Sequence, residues 1–372
     1  MENVMLMYPM ADFAEEETAR VLRELPEMQK GDLRFAFIAD FHYKYMKQMR
    51  MTASNIIHML NAVNKKSPLS FVCLGGDNVG NYPAEKEAHI DMMRELAAYF
   101  PYADMPVVCV QGNHDDNSIH SAKEGTHICT TETVVENEIQ REVLFAHQAA
   151  IPGFHFADEG SLYGYLDIPE ANTRAIFLDS ADVPRIVTDG VLRYNQQWDF
   201  GFTAKQLSWL AETALKNAPE NVIFLAHVPF DHEEFNSFGE DPRYNHDALN
   251  AITAAFRDGK KIRITSDHPD FGYDIEADFT GEKHNVPVRI GGHIHIDTAH
   301  TDSHGFLDVN TMFAGRKNSG LIQNEDGTFF EREAFTRTET AVDIFTVSPA
   351  RGMIYITRYG SGNSREIPMA NV

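Results

Sequence analysis

Cysteine is scarce: Cys73, Cys109 and Cys129 are all that 372 residues hold. The first two sit inside apolar runs, so buried packing is their expected use and a disulfide framework is not. Positive charge is also short, with 32 Lys and Arg against 55 Asp and Glu, a formal charge of -23. Such a surface repels nucleic-acid backbones and anionic membranes at long range. An anionic substrate would need a local positive centre, and bound divalent metal is the obvious source. Long hydrophobic runs are missing too. No tract approaches the roughly 18 apolar residues of a membrane span. The first nine residues lack the basic region and long apolar core of a signal peptide. A cytoplasmic location without membrane attachment is the expectation. What is present, 43% hydrophobic and 11% aromatic residues, suffices for a sizeable globular core.

The order of elements points to an α/β class. Residues 11 to 30 read as a surface helix. Leu33 to Ala39 reads as a strand ending in Asp40-Phe41-His42. Met49, Ala53, Ile56, Leu60 and Val63 then recur at helical spacing. Leu69 to Leu74 is a second strand, closed by Gly75-Gly76-Asp77, and Pro83 opens a helix with Ile90, Met93, Ala97 and Phe100 on one face. Met105 to Val110 is a third strand, leading into Gln111-Gly112-Asn113-His114-Asp115. This βαβαβ order predicts a parallel sheet with right-handed crossovers.

Further strands are expected at Leu162 to Leu166, Arg174 to Leu178, Asn221 to Ala226, Pro287 to Ile290, Phe306 to Val309, Ala341 to Val347 and Met353 to Thr357. Thr203 is placed to cap a helix carrying Leu207, Leu210 and Leu215. Residues 116 to 160, with a helix from Thr133 to Ala149, and 228 to 285, with a helix from Asp247 to Phe256, read as cap-like, loop-rich insertions. No linker or repeat interrupts the chain, and residues 1–372 are expected to form one domain.

Five strand ends carry chemistry: Asp40-Phe41-His42, Gly76-Asp77, Gly112-Asn113-His114-Asp115, His227 and His293-Ile294-His295. Open α/β sheets place their ligands at such ends. Singly each is ordinary, since Gly-Asp and Gly-Asn are common turn pairs. Together they offer two carboxylates, one amide oxygen and four imidazoles without thiolate, a donor set for Zn²⁺, Fe or Mn²⁺. Seven donors exceed one tetrahedral catalytic zinc. They fit two ions if one carboxylate bridges, an arrangement known from phosphoryl chemistry.

In this order the motifs resemble those of the calcineurin-like metallophosphoesterase superfamily, D-x-H, G-D, G-N-H-[D/E], H and G-H-x-H, over residues 40 to 295. The resemblance implies a four-layer α/β/β/α sandwich of two mixed sheets. It implies a first metal on Asp40, His42 and His295, a second on Asn113, His227 and His293, and Asp77 bridging them. The two transition-metal ions (Mn, Fe or Zn) would hold a hydroxide that attacks phosphorus in a small phosphate ester. His114 would contact a phosphoryl oxygen or protonate the leaving oxygen, as suits an imidazole, and Asp115 would orient His114.

Several subfamily marks are absent. Gly80 stands where purple acid phosphatases carry a ligating Tyr, and Gly80-Asn81-Tyr82 with Asp115 departs from the serine/threonine phosphatases. The tail after His295 is shorter than the C-terminal domain of large 5′-nucleotidases. The strong negative charge argues against a nuclease track. A cyclic-nucleotide phosphodiesterase is the alternative within the class. A non-catalytic metal- or ligand-binding module is the rival outside it, disfavoured because neither a ligand nor His114 is lost. Tyr43, Phe154, Phe230 and Phe235 are expected to pack rather than to line a substrate pocket. Arg243, Lys283 and Arg358 are expected to serve structure or surface, and His58, His89, His147 and His300 to be structural or solvated.

Overall fold

The computed structural model describes residues 5–80, 84–122, 128–231, 243–281, 283–315, 321–323 and 329–369. Pro83 and Phe235, both singled out above, lie outside them.

The first elements follow the expected rhythm: α1 (Asp12–Glu24), β1 (Leu33–Ile38), α2 (Lys47–Lys66), β2 (Val72–Gly75), α3 (Lys86–Ala97) and β3 (Val107–Val110). Helix α1 stops earlier than expected because Leu25 precedes Pro26 and leaves the helical region, with φ -54° and ψ 124°. Strands β1, β2 and β3 pair in parallel. The late strands Ala341–Ser348, Met353–Gly360 and Arg365–Pro368 complete a six-stranded mixed sheet on the other side of β1, all by antiparallel pairing.

Strands β4 (Phe154–Phe156), β5 (Gly164–Ile168) and β6 (Thr173–Phe177) belong to the second sheet. Asn221–Leu225, Arg289–Gly291 and Leu307–Asn310 join it parallel to β6, and Thr298–Thr301 closes its edge, making seven strands.

The period-2 alternation of side chains sorts the layers. On β1, Leu33, Phe35 and Phe37 enter the core between the sheets, while Ala36 and Ile38 face α2 and α3. On Asn221–Leu225, Ile223 and Leu225 enter the inter-sheet core, and Val222 and Phe224 face the opposite helical layer. Two sheets face to face with helices on both outer sides give the expected four layers. The inter-sheet core is aromatic: the Phe35 ring stacks on Phe71 at 4.8 Å and on Phe345 at 5.2 Å. Each such ring contributes roughly 1.5–3 kcal/mol by burial.

The outer layer on the second sheet holds α5 (Ala204–Trp209), running into a π turn at Leu210–Ala214, and α6 (His246–Arg257). Thr203 caps α5 as expected, its side chain accepting from the Gln206 N–H at 3.3 Å.

Three expectations are corrected. The helix expected over Thr133 to Ala149 is α4 (Asn137–Gln140) followed by a π turn, Arg141–Phe145, and a 3-10 turn, Ala146–Ala150. Residues 154–156, assigned to the first insertion, are a strand of the second sheet. In the second insertion, Lys261–Ser266 and Tyr273–Asp278 form an antiparallel hairpin. The hairpin puts Ile262, Ile264 and Ile275 against the helical layer and pairs Lys261 with Asp278 outside. The alternation was present in the sequence but hidden among charges.

Candidate metal centre

The parallel strands of each sheet end on one edge, and the five motifs meet there. The chain turns sharply after each strand. Asp40, His42, Asp77, His293 and His295 all have left-handed backbones, with φ of 53°, 47°, 50°, 66° and 64°. Asp and His tolerate this region better than most residues, yet each such residue stores on the order of 1–3 kcal/mol. Strain gathered at one place marks a site whose surroundings over-determine it. Two glycines permit the close approach. A Cβ on Gly76 would lie 2.5 Å from the His227 ring, and one on Gly112 would lie 1.9 Å from the Asp77 backbone nitrogen.

All seven expected donors converge. Asp40, His42, Asp77 and His295 place ligand atoms within 4.8 Å of one another. His295 Nε2 is 3.1 Å from Asp40 Oδ1, and His42 Nε2 is 3.8 Å from Asp77 Oδ2. On the other side, His227 Nε2 is 3.3 Å from Asp77 Oδ1 and 3.0 Å from Asn113 Oδ1. His293 Nδ1 is 2.9 Å from that same amide oxygen. Asp77 thus stands between the two groups.

The surroundings aim these donors. His227 Nδ1 donates to the Gly75 carbonyl at 3.0 Å, which turns Nε2 inward. The Asn113 amide donates to the Gln197 carbonyl at 3.3 Å, which turns its oxygen inward. The His293 N–H donates to Asp40 Oδ2 at 3.0 Å, and the His114 N–H to Asp77 Oδ1 at 2.9 Å.

The residues fit a pair of cations on three grounds. Asp40 Oδ1 is buried and makes no well-aligned hydrogen bond, with only the His295 and His227 imidazoles near it, a state that a cation would relieve. Donors held at roughly 2.0–2.2 Å from one ion lie about 3 Å apart at right angles, close to the spacings around Asn113 and Asp77. The electrostatics agree as well. Burial opposes ionisation of Asp77, but His227 and His114 hold its carboxyl well below the usual range; Asp40, also opposed by burial, is lowered by His295 and His227. Burial pulls His42 and His293 down to about 3, leaving them neutral donors. For His227 burial is outweighed by Asp77 and Asp40, which raise it to about 10. The two carboxylates that raise His227 equally favour a cation placed between them.

His114 sits beside the seven. Its Nε2 is 3.7 Å from Asp77 Oδ2, and its ring lies 5.2 Å from that of His42. Burial lowers its pKa, against the pull of Asp77. The expected Asp115–His114 hydrogen bond is absent. His114 Nδ1 has no hydrogen-bond partner, and both Asp115 oxygens are committed elsewhere. Oδ1 accepts from the N–H groups of Asn78 at 2.8 Å and Val79 at 3.2 Å. Oδ2 accepts from the Gly112 N–H and the Asn78 amide, both at 2.8 Å. Four donors from two ligand loops converge on a fully buried carboxylate, so Asp115 clamps the Asp77 loop to the Asn113 loop. Burial, with Asp77 nearby, pushes it up to about 7.

The aromatics expected to pack do so where described. Tyr43 is fully buried with its hydroxyl on Glu95, Phe154 is in the inter-sheet core, and Phe230 is buried beside Phe224. Arg243 donates to the carbonyls of Pro229 and Asp231, and Lys283 is exposed. Arg358, expected on surface carboxylates, is instead buried on Asp297 and Asp343. His89 is buried, with Nε2 3.1 Å from the Asp115 carbonyl. Residues with no motif also support the site. Gln197 holds Asn113, the Phe200 ring lies 5.0 Å from His293, and the Phe313 ring lies 4.9 Å from His295.

A family model described as calcineurin-like phosphoesterase matches residues 33–297. Among solved structures, a dimetal phosphatase from Danio rerio is similar at 13% identity, with 91% of this chain and 99% of that chain covered and a TM-score of 0.57. GAP50, the anchor in the inner membrane complex of Plasmodium, gives 14% identity, coverages of 91% and 90%, and a TM-score of 0.41. A 5′-nucleotidase from Candida albicans gives 15%, coverages of 77% and 46%, and 0.39. The first of these shows a shared fold. A search of curated proteins found no match. Among the described residues, no helix is long and apolar enough to cross a membrane.

Proposed function

Since the chain belongs to the calcineurin-like phosphoesterase family, we propose that it is a dinuclear metallophosphoesterase that hydrolyses a small phosphomonoester or phosphodiester at this strand-end centre. Asp40, His42 and His295 would hold one ion, Asn113, His227 and His293 the other, and Asp77 both. The observation that carries this reading is the position of Asp77, with His42 at 3.8 Å on one side and His227 at 3.3 Å on the other. When bound, the ions supply Lewis acidity and lower the pKa of water.

The chain's own groups do the rest. The His114 N–H orients Asp77, and His227, through Gly75, presents a fixed lone pair. With no acceptor at Nδ1, the His114 proton belongs on Nε2, the nitrogen facing the centre. A neutral imidazole of lowered pKa suits donation to a phosphoryl oxygen better than release of a proton to the leaving group. Of the two roles the family leaves open for His114, we therefore favour charge stabilisation. The carboxylates and the strongly acidic surface would repel an unneutralised phosphate, so binding should need the ions.

The test is a panel of mono-aryl and bis-aryl phosphates, cyclic nucleotides and phospholipid head groups, run with Mn²⁺, Fe²⁺ and Zn²⁺. Turnover of at least one ester, lost on chelation, is expected. Absence of turnover with every metal, despite tight metal binding, would favour the non-catalytic module. Turnover confined to cyclic nucleotides would select the narrower phosphodiesterase reading.

A further inference from the structure

We propose that Arg332, far from every motif in the sequence, is a positioning residue for the Asp40–His42–His295 half of the centre; the inference rests on the two-ion reading above. Arg332 is 5% exposed. Among the described residues its guanidinium pairs with no carboxylate. Nη1 donates to the Gly315 carbonyl at 2.8 Å, Nη2 donates to the Phe313 carbonyl, and Cζ lies 4.1 Å from the centre of the Phe313 ring. Its Nε is buried without a hydrogen-bond partner. Burying a guanidinium on carbonyls alone is costly, and burial lowers its pKa to about 9. What it gathers in return is one short segment, Phe313 to Gly315.

That segment reaches two of the three outer donors. The Ala314 N–H donates to the Ala39 carbonyl at 2.7 Å, and the Gly315 N–H to the Asp40 carbonyl at 2.9 Å. The contact is close, because a Cβ on Gly315 would lie 2.5 Å from the Phe41 carbonyl oxygen. The Phe313 ring packs on His295 at 4.9 Å. Asp40 and His295 both carry left-handed backbones, a conformation that needs outside restraint to persist. Arg332 fixes the segment, and the segment fixes the Asp40 turn and the His295 ring. Two of the inner donors are held by other partners, His227 by Gly75 and Asn113 by Gln197, and the third, His293, packs on Phe200 although its N–H also reaches Asp40 Oδ2. Loss of Arg332 should therefore be felt chiefly in one half, which a general structural role would not produce.

The experiment is calorimetric titration of metal-free protein with MnCl₂, alongside its thermal unfolding. Wild type should bind two equivalents. Arg332→Met should keep one at wild-type affinity and weaken the other by about 10- to 100-fold, the usual effect of removing an outer-shell support. Arg332→Lys keeps the charge but not the planar fork, and should fall between. Phe313→Leu leaves the guanidinium and removes the ring from His295; it should weaken the same equivalent, and it decides the matter if Arg332→Met does not fold. In a His42→Ala background, where the inner equivalent alone remains, Arg332→Met should change nothing. Folded variants that bind both equivalents as wild type does, or lose both together, overturn the proposal. Fewer than two equivalents in wild type would instead overturn the two-ion reading itself.

Discussion

The two halves of the centre are built differently. In the inner half the His227 side chain is fully buried, Asn113 is 1% exposed and His293 is half-buried, and the donor atoms sit 2.9 to 3.3 Å apart. In the outer half the side chains of His42 and His295 are 19% and 17% exposed, and His42 stands 3.8 Å from Asp77. The inner half is the more deeply buried, with His293 alone part-exposed, and His227 and Asn113 are drawn in by hydrogen bonds to main-chain carbonyls. The outer half has its two imidazoles nearer the surface, and its turns are held from behind by the Phe313 to Gly315 segment. A site preformed in this way loses less entropy on filling than one that must be assembled. The contrast predicts an order of filling, inner before outer, and variants can break it one half at a time.

The largest effect belongs to the residue the halves share. Asp77→Asn should empty both sites and lower kcat by on the order of 10³-fold or more, since each factor of ten needs only about 1.4 kcal/mol and metal ions supply several. Metal analysis of the same sample checks it; retained metal with retained turnover would move the chemistry elsewhere. Next come the half-specific variants. Asn113→Ala should remove the inner equivalent and His42→Ala the outer one, each with turnover nearly lost. Mild chelation of wild type should pass through a one-equivalent form that has lost the outer ion. Loss of both ions together would erase the contrast drawn here.

His114→Ala should lower kcat by roughly 10²- to 10³-fold, the cost of removing one preorganised donor to developing charge, with metal content nearly unchanged. If metal leaves too, His114 is a ligand. The smallest expected effect on chemistry is that of Asp115→Asn, which substitutes an amide for a carboxylate that accepts four hydrogen bonds. It should cost about 1–3 kcal/mol of stability, read by denaturant unfolding, and leave the pH profile in place. A shifted pH profile at unchanged stability would return Asp115 to its expected role beside His114.

Much of this was legible in the chain. Each donor follows an apolar strand, and ordered Gly-Asp, Gly-Asn-His and Gly-His-x-His runs identify a strand-end centre because few alternatives need them together. The parallel core was readable for the same reason, since β1, β2 and β3 alternate with helices of clear period. The supporting residues were not legible. Gln197 acts through its main-chain carbonyl, which no side-chain pattern encodes. Phe200 and Phe313 look like core residues, and Arg332 lies 37 positions beyond His295 in a stretch with no strand signal of its own. Asp115 shows the reverse error: adjacency in sequence suggested a partner, whereas the turn after Gly112 sends the carboxylate into the protein and the imidazole toward Asp77. The hairpin Lys261–Ser266 with Tyr273–Asp278 was missed because its alternation is carried by charged residues on the exposed face.

The most direct test is anomalous diffraction from crystals grown with Mn²⁺. Two peaks are expected, roughly 3.5–4 Å apart, one against Asp40, His42 and His295, the other against Asn113, His227 and His293, with Asp77 touching both. A single peak in a fully active enzyme, or peaks away from these seven side chains, would contradict the account.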